Sequence, residues 1–223
     1  MTADAQNLLR EGLEALGLAL SEAQQTKLLD YQTLIGKWNQ VYNLTAVRDP
    51  AEMLTHHLLD SLAAVGPLHR HLQSRGLAAE AKLLDVGSGA GLPGIVFAIC
   101  LPSLSVTCVD TVGKKAAFIK QAALALGLRN LTGLHARVET IVDPFDVVCS
   151  RAFASLVDFT TWSSQAVAEQ GVWMALKGKL PSEEMAALPP GFEVFHVEQL
   201  AVPGLDAERC VLWLVRSKGA CAQ

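Results

Sequence analysis

The sequence is short of every feature that would place it outside an ordinary globular fold. Its five cysteines (Cys100, Cys108, Cys149, Cys210 and Cys221) form no CxxC pair and no metal-ligand spacing, which argues against a disulfide scaffold and a zinc ribbon. Four of them lie in apolar runs, where cysteine behaves as a small hydrophobe. No apolar run reaches the length of a membrane span, and MTADAQNLLREG lacks a basic stretch followed by a hydrophobic one, so a soluble cytoplasmic protein with no membrane partner is expected. Positive charge is in deficit: 18 Lys and Arg stand against 22 Asp and Glu, for a net charge of −4. Binding nucleic acid through bulk charge is thereby disfavoured, and an RNA partner would have to be recognised by shape and a few placed cations. There is no internal repeat and no low-complexity segment. What remains is 223 residues, 51% hydrophobic and 18% charged, enough to bury a sizeable core.

Two textures divide the chain. Residues 5–75 read as helix: Ser21 and Gln24 form a capping box, and Leu28, Tyr31, Leu34, Ile35, Trp38, Val41 and Tyr42 recur at helical spacing. Asn43–Thr45 interrupt the pattern, Asp49-Pro50 restarts it, Gly66-Pro67 breaks it again and Gly76 closes it. From Lys82 onward, strands alternate with helices: 82–86, 104–110, 131–136, 145–150 and 171–177, with 152–169 helical between the last two. Strands at 193–200 and 209–216 follow, joined by a short turn at Pro203-Gly204. Alternation implies a doubly wound parallel sheet, and the short last connection implies an antiparallel terminal hairpin. The expected fold class is therefore α/β, a Rossmann-like seven-stranded, mostly parallel sheet of the class I methyltransferase kind. A helical segment (1–76) precedes it and packs on the core (77–223).

The stretch LLDVGSGAGLPGIVFA (83–98) is a glycine loop between a strand and a helix, and it permits two ligands. Gly89, Gly91 and Gly94 match the dinucleotide fingerprint, while Gly87, Gly89 and Gly91, preceded by Asp85, match a loop for S-adenosylmethionine. Asp110, at the end of the second strand, suits the ribose in either case. Asp85 is expected to discriminate. A carboxylate there faces the cationic methionine end of S-adenosylmethionine but would repel a pyrophosphate. The antiparallel ending also disfavours a dehydrogenase. An NAD-dependent oxidoreductase stays as the alternative, with a catalytically inert RNA adaptor as a third reading.

Arg137, Arg151, Lys177, Lys179 and Arg209 all fall at or near the strand ends where ligands of such sheets bind, and they form a candidate phosphate-binding cluster. Lys114 and Lys115 stand near Asp110 and read equally well as surface. His56, His57 and Asp60 have ligand-like spacing on one helix but no third ligand, so no metal site is expected. A structural hydrogen bond tying the helices to the sheet suits His57 or Asp60 better. Trp38 and Tyr42 read as core before a base-stacking platform.

Read together, Asp85–Gly94, Lys37–Thr45, His57–Ser61, Ser150–Ser155 and Ala175–Gly178 resemble the bacterial small-subunit ribosomal RNA guanine-N7 methyltransferase family, also called glucose-inhibited division protein B. The resemblance runs from about residue 8 to 216. It implies methyl transfer from S-adenosylmethionine to N7 of a guanine in 16S rRNA, presented as a small ribosomal subunit or assembly intermediate. A monomer is expected. The same resemblance implies that Gly87 and Leu92 contact the cofactor, Asp110 holds its ribose and Val138 and Glu139 line its adenine. Arg151 would face cofactor and substrate, and Arg137, Lys177 and Arg209 would meet RNA. Guanine N7 carries a lone pair and no proton, so the implied reaction needs alignment and no general base. Arg151 is then a positioning group. Cys149, inside an apolar strand, reads as core and not as a nucleophile.

Overall fold

A computed structural model describes residues 3–217; Cys221 and both extreme ends of the expected division into segments lie outside them. Four helical stretches come first. Helix α1 (Ala3–Ala15) is followed by α2 (Glu22–Tyr42). Ser21 caps α2 through the expected box with Gln24, and Asn43 ends it in the left-handed conformation. Asp49 then caps α3 (Pro50–Met53) by accepting from the Ala51 and Glu52 amides. A π-helical stretch, Leu54–Leu59, runs on from α3 into α4 (Asp60–Leu62) without a break. The expected break at Gly66-Pro67 does not occur. The chain turns earlier, at residues 63–64, and α5 (Val65–Ser74) carries Pro67 in its first turn, where an amide would have no helical partner anyway.

The sheet comprises β1 (Lys82–Val86), β2 (Ser105–Asp110), β3 (Leu131–His135), β4 (Phe145–Arg151), β5 (Val167–Lys177), β6 (Phe192–Gln199) and β7 (Cys210–Arg216), in the order β3-β2-β1-β4-β5-β7-β6. Pairings from β3 through β5 are parallel, while β7 runs antiparallel to both β5 and β6. The terminal hairpin is as expected. Helices α6 (Gly94–Cys100), α7 (Gly113–Ala125), α8 (Leu156–Trp162) and the short α9 (Ser182–Ala186) complete the chain. The long helix expected over 152–169 is shorter, because Val167 already pairs with Phe145 across a bulge and draws 167–170 into β5.

Alternation along the strands sends side chains to two cores. Leu83, Val106 and Val147 face a large cluster that also takes Leu28, Tyr31, Ile35, Leu58 and Leu59 from the leading helices. Leu84, Val109 and Val148 face a second cluster with Leu156 and Phe159. Polar contacts join the helices to the sheet as well. Gln24 Nε2 donates to the terminal carbonyls of α6, at 2.9 Å from Ile99 and 3.2 Å from Cys100, and the buried Tyr31 hydroxyl donates to Ala90 O at 2.6 Å. No helix among the described residues is long and apolar enough to cross a membrane.

Candidate active site

Two clefts open at the carboxyl ends of the central strands and meet at Gly87 and Ala152, where ligands of doubly wound sheets bind. The first, of about 600 Å³, lies over β2 and β3 and is lined by Asp110, Val112, Lys115, Val138, Glu139, Phe153 and Trp162, among others. The second, of about 520 Å³, lies between the glycine loop, the π-helical stretch and the ends of β4 and β5. Each is large enough for part of a nucleoside-sized ligand.

The glycine loop is shaped by positive φ angles at Gly87 (65°), Gly89 (58°) and Gly91 (87°), a conformation that costs other residues steric strain. The three glycines answer to different neighbours. A Cβ at Gly87 would collide with the Phe153 ring, one at Gly91 with the Ile95 side chain, and one at Gly89 would touch only the Gly87 carbonyl, at 4.0 Å. Leu92 is buried and lines the second cleft. Asp110 fixes the loop from the side: Oδ2 accepts from Gly89 N at 3.0 Å and Oδ1 from Val112 N at 2.8 Å. Its carboxylate retains lone pairs toward the first cleft, as a ribose-binding group requires. Val138 and Glu139 stand beside it on a single 3₁₀ turn after β3.

Asp85 departs from expectation. It is fully buried and lines neither cleft. Its Oδ2 accepts from Gly94 N at 2.9 Å, and the thiols of Cys108 and Cys149 flank it from the adjacent strands at 3.9 and 3.7 Å. Burial pushes its carboxyl up to about 7, against the opposing pull of the Gly94 amide and the Arg151 guanidinium. The residue anchors the start of α6 beneath the loop. It therefore does not separate the two readings of the loop. The side chains of β1 alternate, so the position that the sequence pattern aimed at the ligand points into the sheet's helical face instead.

The cations are partnered. Arg151, at the end of β4, donates from Nη1 to Asp60 Oδ2 at 2.7 Å and to His56 O at 3.2 Å. Arg209, just before β7, donates from Nε to Asp60 Oδ1 at 2.7 Å. Asp60 is thus the tie between helices and sheet, whereas His57 bonds locally, with Nε2 2.7 Å from Thr45 Oγ1. Burial, reinforced by the Arg151 charge, lowers the pKa of His57. Lys177 is engaged by Ala154 O at 2.9 Å and Glu184 Oε2 at 2.8 Å. Arg137 is exposed and pairs with Glu139 at 3.1 Å, at the rim of the first cleft. Arg151, Lys177 and Arg209 line the second cleft together, so β7 does bring Arg209 to the edge of the parallel strands. Lys114 and Lys179 are exposed outside both clefts, while Lys115 lies 3.9 Å from Asp110. Trp38 packs edge-on against Phe118, with Tyr42 more exposed beside it.

Phe153, Trp162, Thr45 and Glu184 contribute to these walls or hold their residues, and none was singled out from the sequence. Phe153 and Trp162 meet edge to face at 5.9 Å, beside the shared boundary at Gly87. The forewarning was slight: Phe153 falls within the quoted stretch Ser150–Ser155 just past the end of β4, and Thr45 closes the stretch Lys37–Thr45.

Comparison with known proteins comes from three directions. A family model described as rRNA small subunit methyltransferase G matches residues 24–212. The ribosomal RNA small subunit methyltransferase G of Polaromonas sp. strain JS666 is 72% identical over 214 residues, covering 96% of this chain and 94% of its own. That of Paracidovorax citrulli strain AAC00-1 is 67% identical, covering 95% and 90%. Among solved structures, magnesium protoporphyrin IX methyltransferase from Synechocystis PCC 6803 with bound SAM superimposes with a TM-score of 0.59 over 89% of this chain and 99% of its own, at 13% identity. TrmN from Thermus thermophilus gives 0.55 over 69% and 48%, at 22% identity. At such identities the two structures speak for the fold alone.

Proposed function

The chain belongs to the rRNA small subunit methyltransferase G family, and from that premise we propose that it transfers a methyl group from S-adenosylmethionine to N7 of a guanine in 16S rRNA. The observation that carries the reading is the pair of clefts meeting at Gly87: one presents Asp110, the other a wall of cations. The residues present fit the cofactor, because glycine is demanded at position 87 and no side chain crowds position 89. Gly87, Gly89, Leu92, Asp110, Val138 and Glu139 would hold it, Asp110 at the ribose and the Val138-Glu139 turn at the adenine. Gly91 and Asp85, which belong to the loop motif, support the loop from behind. When bound, S-adenosylmethionine supplies an electrophilic methyl group.

The protein's part is positioning. Arg151 lines the second cleft and directly precedes Ala152, where the two clefts meet; its Nε and Nη2 are free of partners among the described residues, and it orients the guanine for in-line attack. N7 has no proton to lose, so no side chain acts as a base. Arg209, Lys177 and, at the rim, Arg137 receive RNA phosphates. The segment before residue 77 completes the second cleft through Thr45, His57 and Asp60, and the remainder of the chain forms the methyltransferase core. The substrate is a cytoplasmic small subunit or its assembly intermediate, and the enzyme acts as a monomer. Transfer of labelled methyl groups from S-adenosylmethionine to small-subunit particles from cells lacking this gene tests the reading. Binding of NAD with no transfer would overturn it in favour of an oxidoreductase.

A further inference from the structure

Asp60 is the only acidic side chain among the described residues that line the second cleft, and it is almost sealed from solvent. Its two oxygens go to two arginines from different elements: Oδ2 to Arg151 Nη1 and Oδ1 to Arg209 Nε, each at 2.7 Å. The π-helical stretch prepares this contact. The Asp60 amide bonds to the carbonyls of Thr55 and His57, and the carbonyl between them, His56 O, accepts from Arg151 Nη1 at 3.2 Å. In a regular α-helix the His56 carbonyl would take the Asp60 amide instead. Arg151 is thus held twice at one terminal nitrogen from one helix. Arg209 turns its Nη1 to Glu208 O at 2.8 Å, and its Nη2 has no partner among the described residues.

Resting on the reading of this cleft as the RNA site, we propose that Asp60 is a positioning residue: it fixes Arg151 and Arg209 as one pair whose remaining N–H groups grip a single phosphate next to the target guanine. Two guanidinium groups side by side repel, and each sits on a long flexible stem. One shared carboxylate holds both and leaves a single positive charge, which one phosphodiester matches. Lys177 is outside this balance, since Glu184 already answers it at 2.8 Å. Without Asp60 the two guanidinium groups repel and separate, and the shared phosphate contact is lost.

Steady-state methylation of small-subunit particles, run beside S-adenosylmethionine binding, tests this. Asp60→Asn keeps the size of the side chain but removes its charge and one acceptor. It is expected to raise KM for the particle by about ten-fold, the effect of one charge-assisted contact, with cofactor affinity held within about two-fold. The slope of log affinity for RNA against log salt is expected to fall by about one. In an Arg209→Gln background the same change is expected to cost less than about three-fold, because the pair is already broken. A wild-type KM in Asp60→Asn, or an undiminished loss in the Arg209→Gln background, would overturn the proposal. Should Asp60→Asn fail to fold, Arg209→Gln alone is expected to give the higher KM and the lower salt slope, and neither change appearing would refute it. Absence of methylation by the wild-type enzyme is a separate result, which overturns the methyltransferase reading itself.

Discussion

Gly87 and Phe153 compete for one space: a Cβ at position 87 would lie inside the Phe153 ring, at a backbone φ of 65°. This is the point where the two clefts meet. Gly87→Ala is expected to push the ring into the first cleft, where we place the cofactor, and to strain the loop by about 1–3 kcal/mol. S-adenosylmethionine affinity, measured by calorimetry, should fall by about ten-fold or more while circular dichroism stays native. Unchanged affinity would remove Gly87 from the cofactor site.

Tyr31 reaches from α2 to the loop through a 2.6 Å hydrogen bond to Ala90 O. Tyr31→Phe leaves that buried carbonyl without its donor, at an expected cost of about 1–2 kcal/mol in denaturant unfolding. Cofactor affinity should weaken with it, since the bond holds the loop against the helices. A stability loss without any change in affinity would confine Tyr31 to a packing role.

Asp85 makes stability depend on pH in a defined direction. Its folded pKa, about 7, lies above the unfolded value near 3.9, so the native state holds the proton more tightly. The contribution is complete below about pH 4 and is lost as pH rises toward 7, by at most about 1.4 kcal/mol per unit. His57 acts oppositely, because its lowered pKa removes stability as pH falls below about 6.5. Comparison with Asp85→Asn isolates the first effect. The unfolding midpoint of the variant relative to wild type should rise steadily from pH 4 to 7, and a constant difference would contradict the assignment.

These features show what the sequence disclosed and what it did not. The strands, the glycine loop and Asp110 were legible because they depend on local pattern: apolar runs, glycines where φ is positive, an acid at a strand end. Residues 167–169 (VAE) read as helix by local preference, and pairing with β4 overrode it. The face taken by Asp85 follows from strand pleating against a neighbour that sequence alone does not name. Glu184 and Lys177, and Asp60 with its two arginines, are brought together only by the fold. The π-helical register at Leu54–Leu59 left no mark in the hydrophobic pattern.

Arg151 lines the second cleft beside its junction with the first, and the proposed mechanism asks it to orient and not to move a proton. Arg151→Ala is expected to lower kcat/KM for the particle by about 10²–10³-fold. In the wild-type enzyme kcat should stay nearly flat between about pH 6.5 and 8.5. A bell-shaped kcat profile would require a base that this site does not provide.

The most direct test of the central claim is the identity of the methylated nucleoside. Small-subunit particles from cells lacking the gene would be methylated with labelled S-adenosylmethionine, digested to nucleosides and separated. The account predicts that the label appears as 7-methylguanosine. Label on any other nucleoside, or on guanosine at a position that must first lose a proton, would contradict a site that works by alignment alone.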